Sequence, residues 1–480
     1  MQIECFGAAG EVTGSCHLLT VADRRILIDC GLFQGGRDAE VRNFSPFPFD
    51  PFALDAVILS HAHIDHSGRL PLLVKAGFRG PVHTHYASLD LCTVMLRDAA
   101  FIHEKEVEWE NRKRERRGQK LLKPVYDRED ARRAMRHFEA QAYGEAREIL
   151  PGVVLTLHDA GHILGSAIVQ LDLTEGDQTC RLVFSGDLGQ AEVDILPDPG
   201  LVETADLVLL ESTYGDRCHR SHADTLAEMQ EVLARAFAGR GNVLIPAFAV
   251  GRTQELLYLF GQHFEDFGLR RWQVFLDSPL AIEATEIYLR HSALFDAEAQ
   301  AVFASKREFP LLPNLHLSRT PAQSMAINRI RSGAIIMAGS GMCTGGRIRQ
   351  HLKHNVWRRD CHVVIVGYQA QGTLGRQLVD GARDIRLWGE SIRVQASIHT
   401  LGGFSAHADQ RGLSDWVLGI QHPEGRGPPE IWLVHGEPGA ATTLAAHLRK
   451  AGGGLVQIAA PAQVIPLPTR DRHSSPRRSP

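Results

Sequence analysis

The sequence predicts a mixed α/β protein in which a sheet-rich domain, assembled from both ends of the chain, carries an inserted second domain with a parallel, Rossmann-like sheet. Three observations lead there. Short β-rich runs punctuated by glycine open the chain. From about residue 216 the texture changes to three successive units of strand, glycine-rich joint and helix, as in a parallel sheet. After about residue 390 the early pattern of strand, imidazole and small residue returns, so the chain is expected to rejoin its first sheet. A length of 480 residues also exceeds what a single hydrophobic core supports.

Composition narrows the function classes. Hydrophobic residues at 44% and charged residues at 22% are ordinary for a soluble globular protein. Against 56 Asp and Glu stand 52 Lys and Arg, a net charge of -4, so bulk charge would not coat nucleic acid and any such binding must be local. The first residues carry no basic, signal-like segment and no stretch stays apolar long enough to span a bilayer, so the expectation is a cytoplasmic protein without a membrane partner. Eight cysteines without a CxxC pair argue for reduced, buried thiols and against a structural zinc ribbon.

Taken in order, Gln2 to Phe6, Cys16 to Val21, Arg25 to Asp29 and Ala56 to Leu59 read as a β-meander. Asp29 closes Ile26-Leu27-Ile28 and reads either as a turn residue or as a support for nearby ligands. The apolar run Ala56-Val57-Ile58-Leu59 delivers Ser60-His61-Ala62-His63-Ile64-Asp65-His66. On an extended segment His61 and His63 point to one side, and the following turn can swing Asp65 and His66 to a neighbouring point. Two ligand pairs imply two metals, and imidazole with carboxylate suits zinc. A helix over Arg69 to Ala76 and a strand over Pro81 to Thr84 follow, then a long charged helical segment from Ser88 to Arg147. In it, Glu104, Glu106, Glu108 and Glu110 precede Arg112, Lys113, Arg114, Arg116 and Arg117. That basic run could touch a phosphate backbone; a solvated helix end whose charge order suits the dipole is the preferred reading.

Three further strands each end in a ligand type beside glycine: Val153 to Leu157 leads to His162, Arg181 to Phe184 to Asp187, and Leu207 to Leu210 to Glu211. In the insertion, Asn242 to Ile245 leads through Gly251-Arg252 to a helix, Ala334 to Met337 through Gly339-Ser340-Gly341 to another, and His362 to Val366 through Gly367 to a third. None of these joints is GxGxxG or GxxxxGK[ST], so no nucleotide cofactor is expected. Small residues before a helix still make an anion site, for which Arg252, Ser340 and Gly341 are the candidates; packing alone would explain the glycines equally well. Arg393 to Ser397 is β again, His407 and His435 follow in the returning pattern, and a polar tail from Thr469 is expected to be disordered.

These motifs, from Gly7-Ala8-Ala9-Gly10-Glu11-Val12-Thr13-Gly14-Ser15 to beyond His435, resemble in order those of metallo-β-lactamase-fold hydrolases of the β-CASP subgroup. These are RNA-processing nucleases related to the endonuclease subunit of the eukaryotic cleavage and polyadenylation machinery, and the stand-alone bacterial and archaeal relatives are the most similar. The resemblance implies an αββα sandwich from residues 1–215 and 391–468, a β-CASP domain at 216–390 and a tail at 469–480. It implies two zinc ions per chain: His61, His63 and His162 on one, Asp65, His66 and His435 on the other, Asp187 bridging, and Asp29 supporting. Glu211 and His407 match the acidic and histidine motifs that flank the insertion, and histidine at 435 is the form found in RNA-acting members.

The expected activity is zinc-dependent hydrolysis of single-stranded RNA by a two-metal mechanism that leaves 5′-phosphate and 3′-hydroxyl ends. Asp65 and Asp187 would serve the metals, and His407, backed by Glu211, would protonate the leaving oxygen. A hydrolase of small esters or thioesters and a metal-free scaffold subunit are the alternatives. Endonucleolytic or 5′-to-3′ exonucleolytic cleavage, and a homodimer, are left open.

Overall fold

The structure is a computed structural model that describes residues 1–35, 37–191, 195–306, 312–423 and 427–471. It divides into two compact units. One comprises Met1–Ala191, Asp198–Cys218 and His407–Pro480, the other Glu192–Pro197 and His219–Ala406.

The first unit is a sandwich of two sheets. The seven-stranded sheet runs, in spatial order, through Gln463–Pro466, Gln2–Gly7, Cys16–Val21, Arg24–Ile28, Ala56–Ile58, Val82–His85 and Phe138–Gln141. Its early strands pair antiparallel and its later ones parallel, so that Ala56–Ile58 lies between two parallel neighbours. The second sheet follows the order Val456–Ile458, Glu430–Val434, Leu207–Glu211, Gln178–Phe184, Ala167–Glu175, Val153–Asp159 and Arg147–Leu150. Alternation with period 2 sorts each strand between two cores. Leu207 and Leu209 face the first sheet with Ile3, Leu19, Ile26 and Ile58. Val208 and Leu210 face outward onto Leu413, Val417, Leu444 and Leu448 of the helices Gln410–Leu418 and Pro438–Lys450. A strand covered on both faces reads as an unbroken apolar run, which is why Leu207-Val208-Leu209-Leu210 shows no polar alternation.

The second unit holds a six-stranded sheet in the order Leu315–Leu317, Gln273–Leu276, Ala334–Ala338, Val243–Pro246, His362–Ile365 and Ser397–Thr400, with every pairing parallel. Helices Arg252–Gln262, Ile348–Asn355 and Leu374–Val379 follow the three joints marked in the sequence.

Three expectations are corrected. Ser397–Thr400 pairs parallel with His362–Ile365, so the inserted unit continues to Ala406 instead of ending at 390; an edge strand carries too little local pattern to declare its sheet. The segment 88–147 is a helix only over Tyr86–Glu115 and Arg128–Ala134, and Phe138–Gln141 is a strand beside Val82–His85. Arg470–Asp471 pairs with Gln178 and Thr179, so the expected tail is ordered at its start; residues 472–480 lie outside the described residues.

Candidate metal centre

The site is assembled from loops that follow strand ends in the first unit. Asp29, next after Arg24–Ile28, adopts φ 60° and is fully buried. Its Oδ1 accepts from Ser60 N at 2.8 Å and its Oδ2 from Ser15 Oγ at 2.9 Å, Ser60 Oγ at 3.0 Å and His66 Nδ1 at 2.7 Å. A carboxylate only accepts, so the His66 proton sits on Nδ1 and the Nε2 lone pair faces inward. Gly31, two residues on, admits the chain that carries Asp65: a Cβ there would stand 1.5 Å from the Asp65 carbonyl oxygen.

Similar logic sets two more rings. Ser60 Oγ spends its proton on Asp29, so it accepts from His61 Nδ1 at 3.1 Å and leaves His61 Nε2 as an inward lone pair. Thr213 Oγ1 donates to the His435 carbonyl and lies 3.1 Å from His435 Nδ1, which leaves His435 Nε2 facing the site. These inward nitrogens meet at short range. His66 Nε2 is 3.2 Å from His435 Nε2, and His63 Nδ1 is 3.2 Å from both His61 Nε2 and His162 Nε2.

Asp187, 2% exposed, stands between the two groups. Its Oδ2 lies 3.5 Å from His61 Nε2 and 3.6 Å from His162 Nε2, and its Oδ1 lies 3.3 Å from His66 Nε2 and 3.5 Å from His435 Nδ1. Asp65 Oδ2 is 3.6 Å from His435 Nε2. Ligand atoms of His61, His63, His162 and Asp187 fall within 4.8 Å of one another, as do those of Asp65, His66 and His435.

These residues fit metal ions. Lone pairs of His66 and His435 aimed at each other repel unless a cation lies between them, and Asp187 Oδ1 is buried without a hydrogen-bond donor. Two nitrogens each ~2.05 Å from a tetrahedral zinc stand about 3.3 Å apart, which is close to the observed spacing. Charge follows the same demand. Burial holds the His61 and His63 imidazoles below their usual range, hence neutral. At His66 burial opposes the charge but Asp187 and Asp29 outweigh it and raise its pKa well above the usual value, so Nε2 carries a proton unless a metal cation takes that proton's place. Asp65, despite burial, is drawn to about 2 by His435 and His66, and Asp187 is held low by His435, His66, His61 and His407.

Glu211 and His407 form the adjoining pair. Glu211, 0% exposed, accepts from Leu188 N at 2.7 Å, and both its oxygens lie 3.2 Å from His407 Nδ1. His407 Nδ1 is 4.0 Å from Asp187 Oδ2. Burial disfavours the imidazolium, yet Glu211 and Asp187 raise its pKa to about 9. The backbone of His407 bridges to Gly189, where a Cβ would stand 2.0 Å from the Gly161 carbonyl oxygen, so the loops of Asp187, His162 and His407 pack as one body.

All seven expected ligands, Asp29, Glu211 and His407 thus lie together. Arg252, Ser340 and Gly341 belong to the other unit. Ser340 Oγ accepts from Gly345 N at 3.1 Å in a turn, and a Cβ on Gly341 would meet the Phe248 ring at 2.5 Å. Arg252 is 6% exposed; its Nη1 donates to Glu255, while its Nη2 is buried with no hydrogen-bond partner among the described residues. Sequence alone gives Ser60 and Thr213 no role, although Ser60 directly precedes His61 and Thr213 lies two residues after Glu211.

Comparison with known proteins places the chain by its domains. Residues 9–247 match the metallo-β-lactamase superfamily, residues 253–378 the β-CASP domain, and residues 391–461 the Zn-dependent metallo-hydrolase RNA specificity domain. The chain is 42% identical over 438 residues to Ribonuclease TTHA0252 of Thermus thermophilus, covering 91% of this chain and 93% of that one. It is 31% identical to Transcription termination factor FttA of Methanocaldococcus jannaschii and to that of Pyrococcus abyssi, in each case covering 94% of this chain and 69% of the relative.

Proposed function

Because the chain belongs to the β-CASP family of the metallo-β-lactamase superfamily, we propose that it is a zinc-dependent ribonuclease. It hydrolyses phosphodiester bonds of single-stranded RNA and leaves 5′-phosphate and 3′-hydroxyl ends. The observation that carries the reading is Asp187 with one oxygen toward each histidine group and the Glu211–His407 pair beside it. A hydrolase of small esters has no evident use for that pair, and a metal-free scaffold has no use for facing lone pairs. Eight free cysteines, seven of them buried, suit a reducing cytoplasm.

His61, His63 and His162 would hold one zinc, Asp65, His66 and His435 the other, with Asp187 shared. Bound there, the ions would lower the pKa of water toward neutrality and offset phosphate charge. The chain's own residues do the rest. Asp29, Ser60 and Thr213 fix three imidazoles in the tautomer that turns Nε2 inward. Glu211 holds His407 by Nδ1, which leaves Nε2 to deliver a proton to the departing 3′-oxygen as the P–O3′ bond breaks and a water oxygen joins phosphorus. Within the other unit, the turn at half-buried Ser340 and buried Gly341 is the candidate contact for the RNA backbone.

RNAs labelled separately at each end, with and without 5′-monophosphate, will report the mode of cleavage and the termini; 2′,3′-cyclic phosphate ends would refute the mechanism. His407→Ala is expected to keep its metals and lower kcat on RNA about 10²- to 10⁴-fold. Hydrolysis of a nitrophenyl phosphodiester, whose leaving group needs little protonation, should suffer much less. Equal losses on both substrates would assign His407 to positioning instead.

A further inference from the structure

The basic end of the helix Tyr86–Glu115 is a built structure and not a frayed terminus. After Arg117 the chain reverses at Gly118, φ 63°, and is pinned back along the helix. Gln119 N donates to Arg114 O at 3.0 Å and Arg114 Nη1 to Lys120 O at 3.0 Å. The Asn111 side chain clamps Leu122 twice, donating to its carbonyl at 3.0 Å and accepting its N–H at 2.8 Å.

Residues 112–123 hold seven Lys and Arg against one Glu, a local net charge of +6 in a chain of net charge -4. Glu108 and Glu110 pair with Lys105, Arg112, Lys113 and Arg114. Arg116, Arg117, Lys120 and Lys123 are exposed, and none has a carboxylate partner among the described residues. Apolar groups are interleaved with this charge. Trp109 is 58% exposed although Lys113 Nζ lies 3.1 Å from its ring centroid, and Leu121 and Leu122 are 53% and 40% exposed. A cationic track with an open aromatic ring is how proteins hold single-stranded nucleic acid without reading its sequence. An anionic membrane would ask for a continuous apolar face, which the cations interrupt here.

We propose that this arm is a second RNA-binding surface, on which a base stacks against Trp109 and phosphates meet Arg116, Arg117, Lys120 and Lys123. The proposal rests on the ribonuclease reading above. The helix begins beside the His162 loop, where Ser88 Oγ donates to the Gly165 carbonyl at 2.7 Å. From Ser88 to Arg116 it rises ~42 Å at ~1.5 Å per residue. A strand running from the metal site to the arm therefore needs about a dozen stacked nucleotides at ~3.4 Å each. The arm should hold long RNAs and ignore short ones.

The test uses the full chain, an unstructured RNA of about 30 nucleotides and one of about six. In the variant carrying Arg116→Gln, Arg117→Gln, Lys120→Gln and Lys123→Gln, the slope of log affinity against log salt for the long RNA should fall by about 3, at ~0.7 per phosphate contact. KM should rise for the long RNA only, with kcat unchanged. Trp109→Ala should weaken binding of the long RNA roughly tenfold and leave the slope intact. An unchanged slope and KM on the long RNA, or equal losses on both RNAs, would overturn the arm. So would binding to phosphatidylserine vesicles that the four substitutions abolish while the RNA slope stays the same. Failure of the unmodified protein to cut either RNA would instead refute the ribonuclease reading, and the salt slope would still decide whether the arm binds RNA.

Discussion

Asp29 touches no substrate atom in the proposed reaction, yet it accepts four hydrogen bonds and sets the His66 tautomer. Asp29→Ala strands a buried imidazole and a buried N–H, which should destabilise the protein by about 3–5 kcal/mol. Loss of such a support also lowers metal affinity about 10- to 100-fold. Urea unfolding and zinc titration of the variant measure the two effects, and normal affinity would remove Asp29 from the site's design. Arg252 carries the opposite expectation. It is buried against Glu255 within one helix turn, so Arg252→Ala should lower stability by about 3 kcal/mol while KM for RNA stays constant. A raised KM with unchanged stability would place Arg252 among the RNA contacts.

Neighbouring strands of the inserted sheet create a pH dependence of their own. His362 and His399, on the adjacent parallel strands His362–Ile365 and Ser397–Thr400, stack at 5.1 Å with Nδ1 2.9 Å from Nε2. Burial, then the proximity of the other imidazole, lowers the pKa of His362 to about 4, and burial first of all lowers that of His399. Folded, both are neutral; unfolded, they protonate near the usual ~6.5. Below that value the unfolded chain binds more protons, so stability is intact above it and falls with pH until His362 itself protonates at about 4. His362→Gln should flatten this fall. Denaturation midpoints of the two proteins, compared across this range, check the sign; parallel curves would show that the pair does not titrate with folding.

At the scale of the molecule, the seven candidate metal ligands and the supporting Asp29 all belong to the unit formed by both ends of the chain. Two zincs per chain are expected by elemental analysis, with His435→Ala losing one selectively; a saturated value of one in the unmodified protein would count against the division at Asp187. Metal that binds only the folded state stabilises it by about 4 kcal/mol at a thousandfold excess over Kd. Chelation should therefore lower the calorimetric transition of that unit and leave the transition of the parallel-sheet unit in place. A uniform shift of all transitions would contradict it.

Much of the site was legible in the sequence because ligands cluster where apolar strands end: His61 to His66, His162, Asp187, Glu211 and His435 each follow such a run, whereas His407 follows the single turn Gly402–Phe404. The three glycine-rich joints likewise placed the parallel sheet, since the change from strand to helix is written locally. What lay beyond reach depends on partners distant in the chain. Ser397–Thr400 joins the inserted sheet through His362–Ile365, a pairing no local pattern states. Ser60 and Thr213 became meaningful only when their hydroxyls were seen to choose the tautomers of His61 and His435. Arg252 has the composition of a phosphate contact, and its burial against Glu255 is seen only in the fold. Residue type and spacing determine which chemistry the chain can carry; hydrogen bonding between remote segments decides which lone pairs meet, because a side chain's direction is set by what it packs against.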